Sequence, residues 1–236
     1  MCKRAIILAG GKGTRLRPYT IALPKPLVPI GEKPILEIII TQLISNGFEH
    51  ITITINHLAD IIKAFFGDGS KWGIKIDYSL EEKPLSTMGP LSLLTDLPEN
   101  FLIMNGDILS NIDFEELYDF HISKESIFTI SSYVREQKTD YGVLKIDSND
   151  NLSDFKEKPV EQYDVSMGIY VANRKILKYI PYNTFYGFDS LMLDLIKNNN
   201  LPFIKRHDGF WFDIGRPDDY EMAIEKFSKS PKEFIK

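Results

Sequence analysis

Two kinds of pattern follow one another along the chain. In the first 120 residues, short apolar or alternating runs take turns with segments whose apolar residues return every three or four positions. The opening run Lys3-Arg4-Ala5-Ile6-Ile7-Leu8-Ala9 is short and continuous, which predicts a buried strand. Ile35, Ile38, Ile39 and Leu43 keep helical spacing, with Pro34 in the first turn and Gly47 as the stop after Asn46. His50 to Asn56 alternates strictly and is rich in β-branched residues, as a strand requires. Ala59 to Phe66 reads as a helix, Ile74 to Tyr78 and Phe101 to Met104 as strands. Asp113 reads as the cap of a helix reaching about His121. Strand and helix thus alternate, the mark of an open α/β sheet with right-handed crossovers.

Beyond residue 120 the alternation stops. Ile127 to Val134, Gly142 to Ile146 and Ser166 to Val171 read as strands with no helix between them. A helix over Phe188 to Asn198 follows, then a strand over Pro202 to Lys205, and a last helix capped by Asp218 and reaching about Phe227. Pro24, Pro26 and Pro29 predict an extended stretch after the first strand. We therefore expect a Rossmann-like α/β fold: a mixed, mostly parallel sheet with helices on both faces. Its parallel half would lie in residues 1–120 and its mixed half in residues 121–236. No linker rich in Pro, Gly or Ser separates the halves, so a single domain is expected.

Composition narrows the partners. With 236 residues the chain is long enough for a sizeable core, and its formal charge of −5 lacks the basic footprint of a nucleic-acid binder. No apolar run is long enough for a membrane span or a signal core. Cys2 is the only cysteine, which excludes an internal disulfide and a cysteine-based zinc cage. The expectation is a cytoplasmic protein with neither nucleic acid nor membrane as partner.

Candidate chemistry begins directly after the first strand. Gly10, Gly11 and Gly13 form a loop whose unpaired backbone N–H groups can cradle phosphates at the carboxyl end of a strand. Two phosphate motifs fail there. A Walker loop needs Gly-Lys-Ser/Thr in that order, but Lys12 precedes Gly13; a dinucleotide fingerprint needs a glycine where Leu16 stands. Lys12, Arg15 and Arg17 add positive charge suited to a polyphosphate; the plainer alternative is a glycine turn with a solvated basic face. Lys25 stands between two prolines, a stiff setting for a cation that must not wander.

These residues carry a resemblance. Leu8-Ala9-Gly10-Gly11-Lys12-Gly13-Thr14-Arg15-Leu16-Arg17-Pro18 and Pro24-Lys25-Pro26-Leu27 resemble the signature of the sugar-1-phosphate nucleotidyltransferases, the nucleoside-diphosphate-sugar pyrophosphorylases. Glu81-Glu82-Lys83-Pro84-Leu85, Asn105-Gly106-Asp107, Tyr141-Gly142-Val143, Glu157-Lys158-Pro159, Met167-Gly168-Ile169-Tyr170 and Trp211-Phe212-Asp213-Ile214-Gly215-Arg216-Pro217 follow in the family's order. The resemblance spans nearly the whole chain. It implies the nucleotide-diphospho-sugar transferase fold, in a form without the C-terminal β-helix of longer members.

The resemblance also implies a reaction. A sugar 1-phosphate displaces pyrophosphate from a nucleoside triphosphate in line, with Mg²⁺ as cofactor and no protein nucleophile. Arg15 and Lys25 would be the catalytic cations. Leu8, Gly10, Gly11, Gly13, Thr14, Glu81, Gly89 and Asp107 would bind the nucleotide. Gly142, Glu157, Lys158 and Gly168 would bind the sugar phosphate, and Asp107 and Asp213 the metal. Taken alone, Glu157-Lys158-Pro159 is a solvated surface turn, and Gly142 and Gly168 are bulge glycines.

The segment from Glu81 to Leu91 is similar to that of mannose-1-phosphate guanylyltransferases, which favours GTP. Ser86 and Met88 depart from the family's glycine and alanine there. The alternatives are UTP, dTTP or CTP with the same chemistry, or a non-catalytic relative that senses a sugar nucleotide. A homodimer is the default expectation for assembly.

Overall fold

The computed structural model describes residues 3–11 and 13–234. Lys12 and Cys2, named above, lie outside the described residues. The first strand, β1 (Lys3–Leu8), leads through the glycine loop and a short pair, β2 (Pro29–Ile30) and β3 (Lys33–Pro34), into α1 (Ile35–Ser45). Then come β4 (Phe48–Ile55), α2 (Ala59–Phe66), β5 (Lys75–Leu80), β6 (Asn100–Asn105), β7 (Ile108–Ser110) and α3 (Phe114–Ser123). The second half holds β8 (Phe128–Lys138), β9 (Gly142–Ile146), β10 (Leu152–Glu157), β11 (Val160–Asn173), α4 (Phe188–Lys197), β12 (Phe203–Arg206), β13 (Trp211–Asp213) and α5 (Pro217–Lys229).

Seven strands form the central sheet in the order β12-β8-β11-β6-β1-β4-β5. Every neighbouring pair is parallel except the two that β11 makes, so one reversed strand is what makes the sheet mixed. Alternate residues feed two cores. Ala5 and Ile7 of β1, with Leu102 and Met104 of β6, join α1, α2, α3 and α5 on one face. Ile6, Phe101 and Ile103 meet Leu191 and Leu195 of α4 on the other. Helices therefore cover both faces, as expected.

The alternation of β4 has a different meaning from the one a half-exposed strand would give it. Ile51, Ile53 and Ile55 enter the first core, while Thr52 on the opposite face is also buried. The Thr52 hydroxyl accepts from Arg4 Nε at 2.9 Å and from a terminal guanidinium nitrogen at 2.7 Å, which lets a polar residue lie inside.

Two local expectations are corrected. Lys25–Leu27 is a 3₁₀ turn, closed by Leu27 N–H donating to the Pro24 carbonyl at 2.8 Å, and not an extended stretch. The proline φ suits a 3₁₀ turn as well as an extended chain. Asp218 is not the cap of the last helix: Pro217 takes the first helical position, which moves the cap back to Arg216. The mixed half is as expected: β11 is antiparallel to both neighbours, while β8 and β12 run with the N-terminal strands. Asp113 does cap α3, its carboxylate accepting from Glu116 N–H at 2.8 Å.

The chain passes from β1 to β4 and β5 on one side, then returns to β6 on the other. The carboxyl ends of β1 and β6 therefore flank the point where strand order reverses, the usual place for a ligand in such sheets.

Candidate active site

A cleft of about 500 Å³ opens at that reversal point. Leu8, Gly10, Gly11, Gly13, Thr14, Arg15, Lys25, Glu81 and Asp107 all line it. The glycine loop is tied down at Gly13, whose φ of +62° suits glycine and whose carbonyl accepts from Thr20 Oγ1 at 2.6 Å. A Cβ there would press on Thr20 and on the Lys25 side chain at 3.0–3.1 Å. At Gly10 a Cβ would sit 2.6 Å from Glu81 Oε1, so the loop runs directly over that carboxylate. Arg15 is exposed at the rim, with no polar partner among the described residues.

The acidic end is built by a pairing too short to see in sequence. β7 and β13 run antiparallel, with Asp213 opposite Ile108, next to Asp107. Ile214 N–H donates to the Asp107 carbonyl at 3.0 Å and Gly215 N–H to Asp213 Oδ1 at 2.9 Å. The Lys25 ammonium makes an ion pair with Asp107 and lies 4.0 Å from Asp213 Oδ1. One cation thus reaches both carboxylates, and a Cβ at Gly215 would run into it. Asp107 lines the cleft, whereas Asp213 is not among its lining residues and reaches the site through Lys25. A pair of carboxylates at the edge of such a cleft suits a hard divalent cation that keeps waters and phosphate oxygens in its shell. No group of three or more metal-ligating side chains occurs among the described residues.

At the opposite end Glu81 is only 6% exposed. Burial pushes its carboxyl above the usual range, and the Leu85 N–H, at 3.3 Å, works against that shift. Ser86, Thr87 and Phe185 complete this wall. Ser86 has φ +65°, in the left-handed region that favours glycine. Phe185 is 70% exposed and comes from the segment before α4, a hundred residues away. It is brought here because Tyr186 N–H donates to the Leu85 carbonyl and Met88 N–H to the Tyr186 carbonyl, each at 3.0 Å. No local sequence signal marks Phe185.

Other expected residues stand apart from the cleft wall. Gly89 is buried behind it, its N–H engaged by the Tyr186 carbonyl at 2.9 Å. Gly142 and Glu157 face each other across the β9–β10 ribbon, and Lys158 follows in a turn at φ +43°. All three are exposed on an arm outside the central sheet. Gly168, at φ +74°, sits where the β11 register shifts, and a Cβ there would lie 2.6 Å from Asn105 Nδ2 at the cleft edge. Sequence reading also missed Asp219 and Arg135, which meet beside Asp213. The acid in the first turn after Pro217 was the available signal.

A doubly covered α/β sheet with a glycine loop, paired carboxylates and a lysine at its reversal point defines an α/β protein with a polar ligand cleft at its switch point. A family model described as Nucleotidyl transferase matches residues 4–230, and the chain belongs to that family.

Among curated relatives, a UTP--glucose-1-phosphate uridylyltransferase of Synechocystis sp. is 34% identical over 94% of this chain and 62% of its own length. A mannose-1-phosphate guanylyltransferase of Mycobacterium tuberculosis is 31% identical over 92% of this chain and 62% of its own length. The chain spans a little under two thirds of the length of these relatives. The solved structure of HddC from Yersinia pseudotuberculosis, also solved complexed with GMP-PN, superposes with a TM-score of 0.74 at 27% identity, covering 95% of this chain and 99% of that one. A Bacillus anthracis structure shares the fold at 21% identity and a TM-score of 0.77. No helix among the described residues is long and apolar enough to cross a membrane.

Proposed function

We propose that the chain transfers a nucleotidyl group from a nucleoside triphosphate to a sugar 1-phosphate. A phosphate oxygen of the sugar 1-phosphate attacks the α-phosphorus in line. The bond from that phosphorus to the β-phosphate bridging oxygen breaks, and pyrophosphate leaves. The single observation that carries this reading is the Lys25 ammonium, within reach of both Asp107 and Asp213 in a cleft bordered by the glycine loop.

The chain's tasks are alignment and charge neutralisation, since both reactants are anions. Amides of Gly10, Gly11 and Gly13 receive the triphosphate, together with the walls formed by Leu8 and Thr14. Arg15 neutralises charge growing on the departing pyrophosphate. Lys25 bridges the attacking phosphate and the α-phosphate. Glu157 and Lys158 hold the sugar phosphate on the ribbon, with Gly142 and Gly168 leaving room for the ring. Asp107 and Asp213 would hold Mg²⁺, which when bound supplies Lewis-acid neutralisation of phosphoryl oxygens. Residues 1–120 form the nucleotide half and residues 121–236 the sugar-phosphate half.

GTP is the favoured donor. An ionised Glu81 accepts only, matching the N1–H and N2–H₂ donors of guanine. The guanylyltransferase names among the relatives and the GMP-PN complex of HddC support this; the uridylyltransferase name argues for testing all bases.

Pyrophosphate release, measured with GTP, UTP, dTTP and CTP against a panel of sugar 1-phosphates and Mg²⁺, tests the reading. Release that requires a sugar 1-phosphate is expected, fastest with GTP. Binding of sugar nucleotides without release across the panel would replace the enzyme with a sensor.

A further inference from the structure

Asp219 is 1% exposed in the first turn of α5, an expensive place for a charge unless it is paired and hydrogen-bonded. Its carboxylate receives three donors. Arg135 grips both oxygens with a two-pronged guanidinium, one prong at 3.0 Å, and the Asp213 backbone N–H donates to Oδ2 at 3.0 Å. Arg135 alone would neutralise Asp219. The third contact is the one that reaches the carboxylate-bearing strand.

Arg135 lies on β8 opposite Tyr163 of β11, in the stretch where these two strands lead out to the β9–β10 ribbon. Its guanidinium stands 5.4 Å from the Trp211 ring centroid, and Trp211 Nε1 donates to the Met167 carbonyl at 2.9 Å. Asp219 therefore joins three elements at one buried point: the strand ending in Asp213, the start of α5, and the root of the exposed arm.

We propose that Asp219 is a positioning residue. It fixes the Asp213 main chain so that the side chain faces Lys25 and Asp107, and through the Arg135 fork it ties that carboxylate to the arm bearing Glu157 and Lys158. Asp213 is then framed on every side: Asp219 holds its N–H, Gly215 N–H holds Oδ1, and Ile214 N–H holds the neighbouring Asp107 carbonyl. Outer partners of this kind set the orientation of metal-binding groups. The proposal rests on reading Asp213 as a metal ligand.

The test uses Mn²⁺ as the probe, titrated into the full chain with a non-hydrolysable analogue of the triphosphate that supports the fastest pyrophosphate release, and followed by the electron paramagnetic resonance of free Mn²⁺ against a titration of the analogue alone. Asp219→Asn should weaken Mn²⁺ binding about 10-fold. Its turnover should recover at saturating Mg²⁺, with little change in KM for either substrate. A purely structural role predicts unchanged Mn²⁺ affinity and a turnover loss that excess metal does not restore; either result overturns the proposal. Should Asp219→Asn fail to fold, Arg135→Lys keeps the charge while losing the fork and should also weaken Mn²⁺ binding, by less than the loss expected for Asp219→Asn. Unchanged affinity in that folded variant overturns the proposal equally. Asp213→Asn separates the two readings. If wild type binds no Mn²⁺, or Asp213→Asn binds it as well as wild type, the metal assignment falls and the proposal with it. If those two behave as expected and Asp219→Asn binds normally, only the proposal falls.

Discussion

At the scale of single residues, Lys25 and Glu81 occupy opposite ends of one cleft and answer to different physics. Lys25 is paired with Asp107 and reaches Asp213, so its charge is held beside the carboxylates at the point a polyphosphate would enter. Its contribution should grow as charge develops in the transition state. Lys25→Ala should therefore lower kcat by about 100-fold or more with a smaller change in triphosphate affinity. Steady-state kinetics beside equilibrium binding checks this, and a change confined to KM would contradict it. Glu81 is held above the usual carboxylate range by burial, so it remains protonated to a higher pH than an exposed glutamate. Guanine presents donors and needs the ionised form. Guanine nucleotide affinity should rise with pH as Glu81 ionises, and Glu81→Gln should flatten that rise and narrow the gap between GTP and UTP. Calorimetric titrations of both proteins from pH 4.5 to 8 measure it; parallel pH curves would remove Glu81 from base reading. Lys25 and Glu81 were visible in the sequence because each sits in a local motif. Phe185 was not, because only the contact between the segments at 85–89 and 184–188 brings it to the wall.

At the scale of elements, what the sequence revealed follows periodicity. α2 runs from Ala59 to Phe66 as its pattern predicts, and α3 starts at its Asp113 cap. β10 was missed because a register irregularity between Leu152 and Asp154 breaks the alternation that would have marked it. β7 and β13 are three residues each, too short for any period, yet their pairing sets Asp107 beside Asp213. The β9–β10 ribbon is exposed at every position and pairs with no third strand, so it adds little to the stability of the core. Replacing residues 143–156 with a short Gly-Ser turn should leave the melting temperature within about 3 °C of wild type. Nucleotide binding should persist while turnover dependent on sugar phosphate is lost. Thermal melts with binding and turnover assays decide it, and full turnover in the shortened chain would remove the ribbon from the site.

At the scale of the whole molecule, a buried histidine links stability to pH. His121 of α3 is 1% exposed, with Nδ1 2.9 Å from Thr129 Oγ1 and Nε2 3.2 Å from Asn100 Oδ1, which fastens the helix to the sheet. Burial lowers its pKa to about 4, below the value of about 6.5 expected in the unfolded chain. Its contribution is complete above the unfolded value and is lost as pH falls toward 4, because the unfolded chain takes up the proton first. The loss amounts to at most about 3 kcal/mol. Urea unfolding at pH 7 and pH 4.5 should show a smaller pH difference in His121→Gln than in wild type; equal differences would assign the acid sensitivity elsewhere. The α/β architecture was legible at this scale because strand and helix periods alternate. A reversal within residues 121–236 was legible too, because strands there follow one another with no crossover helix; that β11 is the reversed strand was not, since its place between β8 and β6 is set by pairing between distant segments.

The most direct test of nucleotidyl transfer follows oxygen. A sugar 1-phosphate carrying ¹⁸O in its phosphate, incubated with GTP, Mg²⁺ and the protein, should give a nucleoside-diphosphate sugar that retains all of the label, one labelled oxygen bridging the two phosphorus atoms, together with unlabelled pyrophosphate. Label in pyrophosphate or in free phosphate, or nucleoside monophosphate formed with unlabelled water in place of the sugar phosphate, would contradict the account.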